Sequence, residues 1–173
     1  AVGVLAQRAG IPLSDEEALV RLVADLRFEP APGGLRARGS LLGDEIPVRF
    51  FEPAIGTGSF FSALIHTVPV ERIQAAKGYE LDAHYGAPAH ELWQGTPLDL
   101  ELADFTRALP PTSEAERYNL LVCNPPYVRH HHSVNGEKVR LQAATEMACG
   151  IRIAGLAGLY CCFLGLAHPW MAR

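Results

Sequence analysis

The sequence lacks any apolar run approaching the eighteen or so residues that a membrane span requires, so no transmembrane helix is read from it. Its opening, AVGVLAQRAG, lacks the basic start, apolar stretch and cleavage pattern of a secretory signal. It also lacks an initiator Met, which makes a fragment or a processed chain the expectation. Cysteine is scarce: Cys123, Cys149, Cys161 and Cys162 form no C-x-x-C pair, and no His stands at a zinc-ligand offset from them. No metal site is expected. Cys161 and Cys162 sit in an apolar helical pattern and read as buried thiols, consistent with a reducing, cytoplasmic compartment. A strong excess of one charge is absent too. The net charge of −4 does not advertise nucleic-acid binding, although Val128 to Arg152 holds four basic residues against two acidic ones.

What is present suits a folded domain. The 173 residues, 49% hydrophobic and 20% charged, are enough for a sizeable core. Ser14 followed by Glu17 forms a capping box, and Leu19, Leu22, Val23 and Leu26 recur at helical spacing. The Pro- and Gly-rich EPAPGGLRARGSLLGDE then reads as a loop. Residues 1–45 thus form an N-terminal segment, and residues 46–173 the main subdomain.

From Ile46 onward, strand and helix patterns alternate. VRFF, AAKGYEL, LDLEL and YNLLVC read as strands. SFFSALIHTV and DAHYGAPAHELWQ read as helices, the second interrupted or bent near Pro88. EKVRLQAATEMA, with Asn135 as its cap, and GLAGLYCCFLGLAHPW complete the helices. Alternation of this kind implies an α/β fold, with a mainly parallel sheet flanked by helices. Ligands of such sheets bind beyond the carboxyl ends of the strands, so the strand ends are where chemistry is sought.

The first strand runs into FFEPAIGTGSFF. Gly56 and Gly58 permit a tight turn and close approach of backbone to ligand at a helix N-terminus. Phe61 stands where a dinucleotide fingerprint would place its third glycine, which argues against NAD. Glu52 would repel phosphate and suits a cationic or amine-bearing ligand. After the second strand, Glu80 lies 22 residues beyond Gly58, near the offset at which a carboxylate accepts from ribose hydroxyls. Asp82 beside it reads as a helix cap. After the third strand, Asp104 is an acceptor for an exocyclic amine and Phe105 a ring to cover a base, with Asp99 the alternative if the strand ends earlier.

The fourth strand runs into Asn124-Pro125-Pro126-Tyr127. An aromatic amine is a poor nucleophile because its lone pair is delocalised into the ring. Two acceptors aimed at its hydrogens favour localising that pair as a bond forms. The Asn124 side-chain oxygen is one, and the Pro125 carbonyl, held by the restricted torsions of Pro125-Pro126, is the other. Tyr127 supplies a ring for stacking, a contact worth roughly 1–3 kcal/mol.

Taken together, these residues resemble the S-adenosylmethionine-dependent amino-methyltransferases, specifically the adenine-N6 DNA methylases of restriction–modification systems. FEPAIGTGSF is similar to their cofactor loop, GYELD to their ribose-binding motif, ADF to their cofactor-adenine motif and NPPYV to their catalytic motif. The resemblance spans roughly Val48 to Trp170. It implies a Rossmann-like methyltransferase fold, incomplete here because only the first four core strands are present. It further implies that Glu52, Ala54, Gly56, Gly58, Glu80, Leu81, Asp104 and Phe105 hold S-adenosyl-L-methionine. Asn124, Pro125, Pro126 and Tyr127 would hold a target adenine flipped out of double-stranded DNA. The motif order is that of the branch whose recognition domain follows the catalytic one.

Two departures stand beside the resemblance. No Thr-Pro-Pro-like element precedes Glu52, and the chain stops at LAHPWMAR, before a fifth strand and the recognition domain. The expectation is a cofactor-binding part of a larger enzyme, inactive or weakly active alone, with LLVC an exposed edge open to self-association. Rival readings are a protein glutamine-N5 methyltransferase, an RNA adenine methyltransferase, and a non-catalytic cofactor-binding fragment. His130, His131 and His132 read as a pH-sensitive loop near substrate phosphates, with Arg129 alongside, rather than as a metal site.

Overall fold

The structure, a computed structural model, describes residues 28–31, 34–37, 47–126, 135–154 and 157–172. The expected helix around Leu19–Leu26, Tyr127 and the histidine run all lie outside these residues.

Two four-residue strands, β1 (Phe28–Ala31) and β2 (Gly34–Ala37), pair antiparallel with Phe28 opposite Ala37. This corrects the loop reading of that stretch. Its Pro and Gly content signals a chain reversal, but two arms this short carry too little alternation to register as strands.

The rest alternates as expected. β3 (Val48–Glu52) leads to α1 (Ser59–Thr67), β4 (Ile73–Glu80) to α2 (Ala83–Leu92), and β5 (Leu98–Leu102) through 3₁₀ turns to β6 (Leu120–Leu121). Helices α3 (Asn135–Cys149) and α4 (Leu159–Ala167) follow. α2 runs uninterrupted through Pro88. Asn135 is already helical, so it lies inside α3 instead of preceding it.

The four strands β3 to β6 form one parallel sheet in the order β5-β4-β3-β6. Counted along the chain that is third, second, first, fourth, the arrangement of a Rossmann-like half-fold. The order reverses between β3 and β6, and the crevice at such a switch point is where ligands enter.

Period-two alternation splits the sheet residues between two apolar layers. On one face, Phe50 and Leu120 pack with Phe61 and Leu64 of α1. On the other, Phe51 stacks on Trp170 at 4.7 Å and 9° and on Tyr118 at 5.2 Å, with Tyr79, Phe105 and Phe163 edge-on or tilted around them. α3 and α4 approach closely because Gly165 has no side chain, and a Cβ there would stand 2.3 Å from Thr145 Cγ2.

β6 is shorter than YNLLVC predicted. Ahead of it Asn119 carries the pairing with its side chain: Oδ1 accepts from Arg49 N at 2.8 Å and Nδ2 donates to Pro47 O at 2.8 Å. β6 does end the sheet, yet its edge is not a bare apolar one. Leu120 and Val122 are buried. Just before the strand, Tyr118 N donates to Trp170 O at 2.9 Å, and Ala172 N donates to Tyr118 O at 2.7 Å, making a parallel bridge to Met171. Among the described residues no helix is long and apolar enough to cross a membrane.

Candidate functional site

The first wall of the site is the turn from β3 into α1. Ile55 N donates to Tyr79 O and Gly58 N to Ile55 O, each at 2.9 Å, folding the loop back over β4. Gly56 and Gly58 both have positive φ, +58° and +89°, a conformation costly for residues with a Cβ. Their surroundings differ. A Cβ on Gly56 would meet nothing within 4 Å, whereas one on Gly58 would stand 2.3 Å from Trp93 Nε1. Trp93 braces the loop by donating Nε1–H to Thr57 O at 2.9 Å.

Glu80, at the end of β4, ties this loop to the next. Its Oε2 accepts from Gly56 N and its Oε1 from Asp82 N, both at 2.8 Å. Asp82 caps α2, accepting from His84 N at 2.8 Å. After β5, Asp104 caps a 3₁₀ turn and accepts from Thr106 N at 2.9 Å and Thr106 Oγ1 at 2.7 Å. Asp99, the alternative, lies within β5 and pairs with Lys77 at 2.7 Å. Phe105 borders the site but is 3% exposed, its ring held among Phe51, Tyr79, Phe163 and Trp170.

These strand ends enclose one cavity of about 830 Å³, within the range of small-molecule sites. Of the sequence-predicted residues, Glu52, Ala54, Gly56, Glu80, Leu81, Asp104, Phe105, Asn124 and Pro126 line it. Gly58 and Pro125 are not among its lining residues: Gly58 is buried beneath Trp93, and Pro125 is buried. Asn124 is exposed and Leu81 is 72% exposed. Residues not anticipated include Tyr85, Thr106, Glu137, Leu141, Leu159 and Phe163. Leu159 and Phe163 stand one turn apart on α4, so one face of that helix borders the cavity.

The electrostatics are one-sided. Five carboxylates (Glu52, Glu80, Asp82, Asp104, Glu137) line the cavity, and among the described residues no Lys, Arg or His does. Glu52 is 2% exposed, and a carboxylate buried at a cavity wall favours a cationic partner. Burial, with the Glu52 charge adding, pushes the nearby Cys123 thiol up to about 12. Cys123 therefore stays protonated and is no nucleophile.

No protein-family profile matches the sequence. Among solved structures, the chain is similar to the 23S rRNA methyltransferase ErmE at 24% identity and a TM-score of 0.37, over 49% of this chain and 32% of that one. It is similar to a protein described as a modification subunit of a type I restriction enzyme from Vibrio vulnificus at 17% identity and a TM-score of 0.39, over 51% and 22%. It is also similar to an S-adenosylmethionine-dependent methyltransferase from Clostridium acetobutylicum at 15% identity and a TM-score of 0.39, over 60% and 39%. The chain spans less than half the length of each of these proteins.

α3, which lines the cavity with Glu137 and Leu141, contributes a polar network. Arg140 Nε donates to Glu137 Oε1 at 3.0 Å, while its Nη2 donates to Thr106 Oγ1 at 2.8 Å and its Nη1 to Thr106 O at 3.2 Å. The hydrogen bond from Arg140, more than its charge, holds the Glu137 carboxyl below the usual carboxylate range.

Proposed function

We propose that this chain is the cofactor-binding and catalytic part of an S-adenosylmethionine-dependent methyltransferase acting on the N6 amine of a flipped adenine in DNA, within a larger restriction–modification methylase. The observation that carries the reading is an acid-lined cavity at the sheet's switch point with an Asn-Pro-Pro turn, residues 124–126, at its edge. A dinucleotide would bring phosphates to five carboxylates, whereas S-adenosylmethionine brings a sulfonium and an ammonium.

The residues present fit that cofactor. The open space beside Gly56 lets backbone approach a ligand. Buried Glu52 suits its ammonium, Glu80 its ribose hydroxyls and Asp104 its adenine amine. Glu80 already receives two backbone amides, but each carboxylate oxygen has a second acceptor position. When bound, S-adenosylmethionine supplies an electrophilic methyl group on sulfur.

The chain's own residues then act on the amine. Asn124 Oδ1 and the Pro125 carbonyl accept its two hydrogens, turning the nitrogen lone pair out of the ring plane and towards the cavity. The prolines limit the backbone freedom of that carbonyl. No residue needs to be a strong base, because positioning and oriented acceptors supply most of the effect. A flipped base is required, since N6 is inaccessible in the duplex stack.

The test has two stages. Calorimetry with S-adenosylmethionine comes first, on this chain and on Glu80→Ala. Transfer of labelled methyl to unmethylated DNA, to RNA and to a glutamine-bearing protein then follows, using the chain and any longer form of it. Label in DNA released as N6-methyladenine supports the reading. Label in RNA or in glutamine replaces the substrate, and absence of binding by a folded sample overturns the reading.

A further inference from the structure

We propose that Arg140, acting through Thr106, is a positioning residue for Asp104 that makes the part of the cavity lined by Asp104 selective for a base carrying an exocyclic amine. The inference rests on the S-adenosylmethionine reading above.

Hydrogen-bond capacity decides what Asp104 can still accept. Asp104 Oδ1 accepts from both Thr106 N, at 2.9 Å, and Thr106 Oγ1, at 2.7 Å, which fills its two acceptor positions. Oδ2 accepts from Arg107 Nε at 3.2 Å, leaving one position for a further donor. Which way the Thr106 hydroxyl points is decided by Arg140. A guanidinium only donates, so with Arg140 Nη2 at 2.8 Å the hydroxyl oxygen must accept there and turn its hydrogen towards Asp104. Arg140 Nη1 grips the Thr106 carbonyl at 3.2 Å, so the planar fork holds the hydroxyl and the carbonyl of one residue.

The fork is itself oriented. Glu137 receives Arg140 Nε at 3.0 Å and, on its other side, Arg107 Nη2 at 3.3 Å. Glu137 and Arg140 sit one helical turn apart on α3, whereas Asp104 and Thr106 belong to the turn after β5. The relay therefore links two segments that no sheet hydrogen bond joins. Its consequence is chemical. Asp104 is kept as an oriented acceptor, saturated on one oxygen and open on the other. An amine donates to that position, whereas a carbonyl oxygen in the same place meets a second acceptor. Recognition of this kind discriminates through the penalty on the wrong partner.

The experiment compares S-adenosylhomocysteine with its deaminated counterpart, S-inosylhomocysteine, by calorimetry on the full chain. Variants are Arg140→Met, Thr106→Val and Thr106→Ser, each checked for folding by circular dichroism and thermal melting. The unsubstituted chain should prefer the adenosyl compound by roughly 10- to 100-fold, the scale of one hydrogen bond to a charged group. Arg140→Met and Thr106→Val should narrow the preference to within about threefold, and Thr106→Ser, which keeps the hydroxyl, should retain it. A merely structural role would lower both affinities together and leave their ratio intact, and that result would overturn the proposal. If Arg140→Met fails to fold, Thr106→Val against Thr106→Ser decides. Equal binding of both compounds by the unsubstituted chain also overturns it. Binding of neither by a folded chain removes the cofactor reading itself.

Discussion

Glu80 and Gly56 meet across two adjacent strand ends, the carboxylate Oε2 accepting the glycine amide at 2.8 Å. Because Oε1 accepts Asp82 N at the same distance, one side chain organises both the glycine loop and the start of α2. Glu80→Ala removes both acceptors, while Glu80→Gln keeps one and turns an NH₂ against the other amide. The side chain is partly exposed, so water replaces part of what is lost. The expected cost is about 1 kcal/mol for Glu80→Ala, read from denaturant melts, with a loss of S-adenosylmethionine affinity of at least tenfold on the proposed function. Glu80→Gln should fall between. Unchanged affinity in Glu80→Ala would sink the assignment of this residue to the cofactor site.

The two loop glycines should separate stability from binding. At Gly58, a methyl group meets the Trp93 indole at 2.3 Å and φ is +89°, so Gly58→Ala combines a clash with backbone strain and should cost about 2 kcal/mol or more. At Gly56 the space is open and φ is +58°, so Gly56→Ala should cost only about 1 kcal/mol. Its methyl would nevertheless occupy the cavity wall and weaken ligand binding. Thermal melts and calorimetry on both variants check this. Equal stability loss would mean that Trp93 yields.

The sequence and the structure agree where periodicity was strong and part where packing decided. The four parallel strands and the four helices from α1 to α4 were legible because β-rich apolar runs alternate with 3.6-period stretches. That Glu52, Glu80, Asp104 and Asn124 share one cavity followed from their places after four strands of such a sheet. What could not be read was depth. Phe105 follows Asp104 in the chain, yet its ring turns into the Phe51–Trp170 stack because that side of the sheet needs filling. Nor could the acid residues at 80 and 104 reveal that neighbouring amides already occupy them. The Arg140 fork was hidden for a similar reason, since it joins residues 34 positions apart.

Alkaline pH should destabilise the fold through Lys77 and Tyr79. Burial opposes the Lys77 charge, but hydrogen bonds to Asp99 and Glu101 outweigh it and carry the group to about 12. Burial pushes Tyr79 up to about 12 as well, against the opposing pull of Lys77. In the unfolded chain these groups titrate near 10.5 and 10.0. From about pH 10 to 12 the native state therefore holds more protons than the unfolded state, so stability must fall as pH rises through that window. Below it the full contribution is present. Denaturant midpoints across this range should decline, and Tyr79→Phe should flatten the decline. A slope unchanged in Tyr79→Phe would remove Tyr79 from the account.

Asn124 offers the sharpest separation of binding from chemistry. It borders the cavity and is exposed, beyond the end of β6, whereas Glu80 ends β4, on the other side of β3. If it serves the target amine, its removal should leave the cofactor's affinity within about twofold and reduce methyl transfer by roughly 10²–10³, the scale of one oriented hydrogen-bond partner at a reacting centre. Asn124→Asp keeps an acceptor oxygen and should retain more activity than Asn124→Ala. The measurement is single-turnover transfer of labelled methyl at saturating S-adenosylmethionine, in whichever form of the protein methylates DNA, because single-turnover rates report chemistry apart from product release. Equal loss of cofactor affinity and transfer would place Asn124 in the cofactor wall instead. Undiminished transfer by Asn124→Ala would remove the amide from the reaction and leave the Pro125 carbonyl as the remaining proposed acceptor.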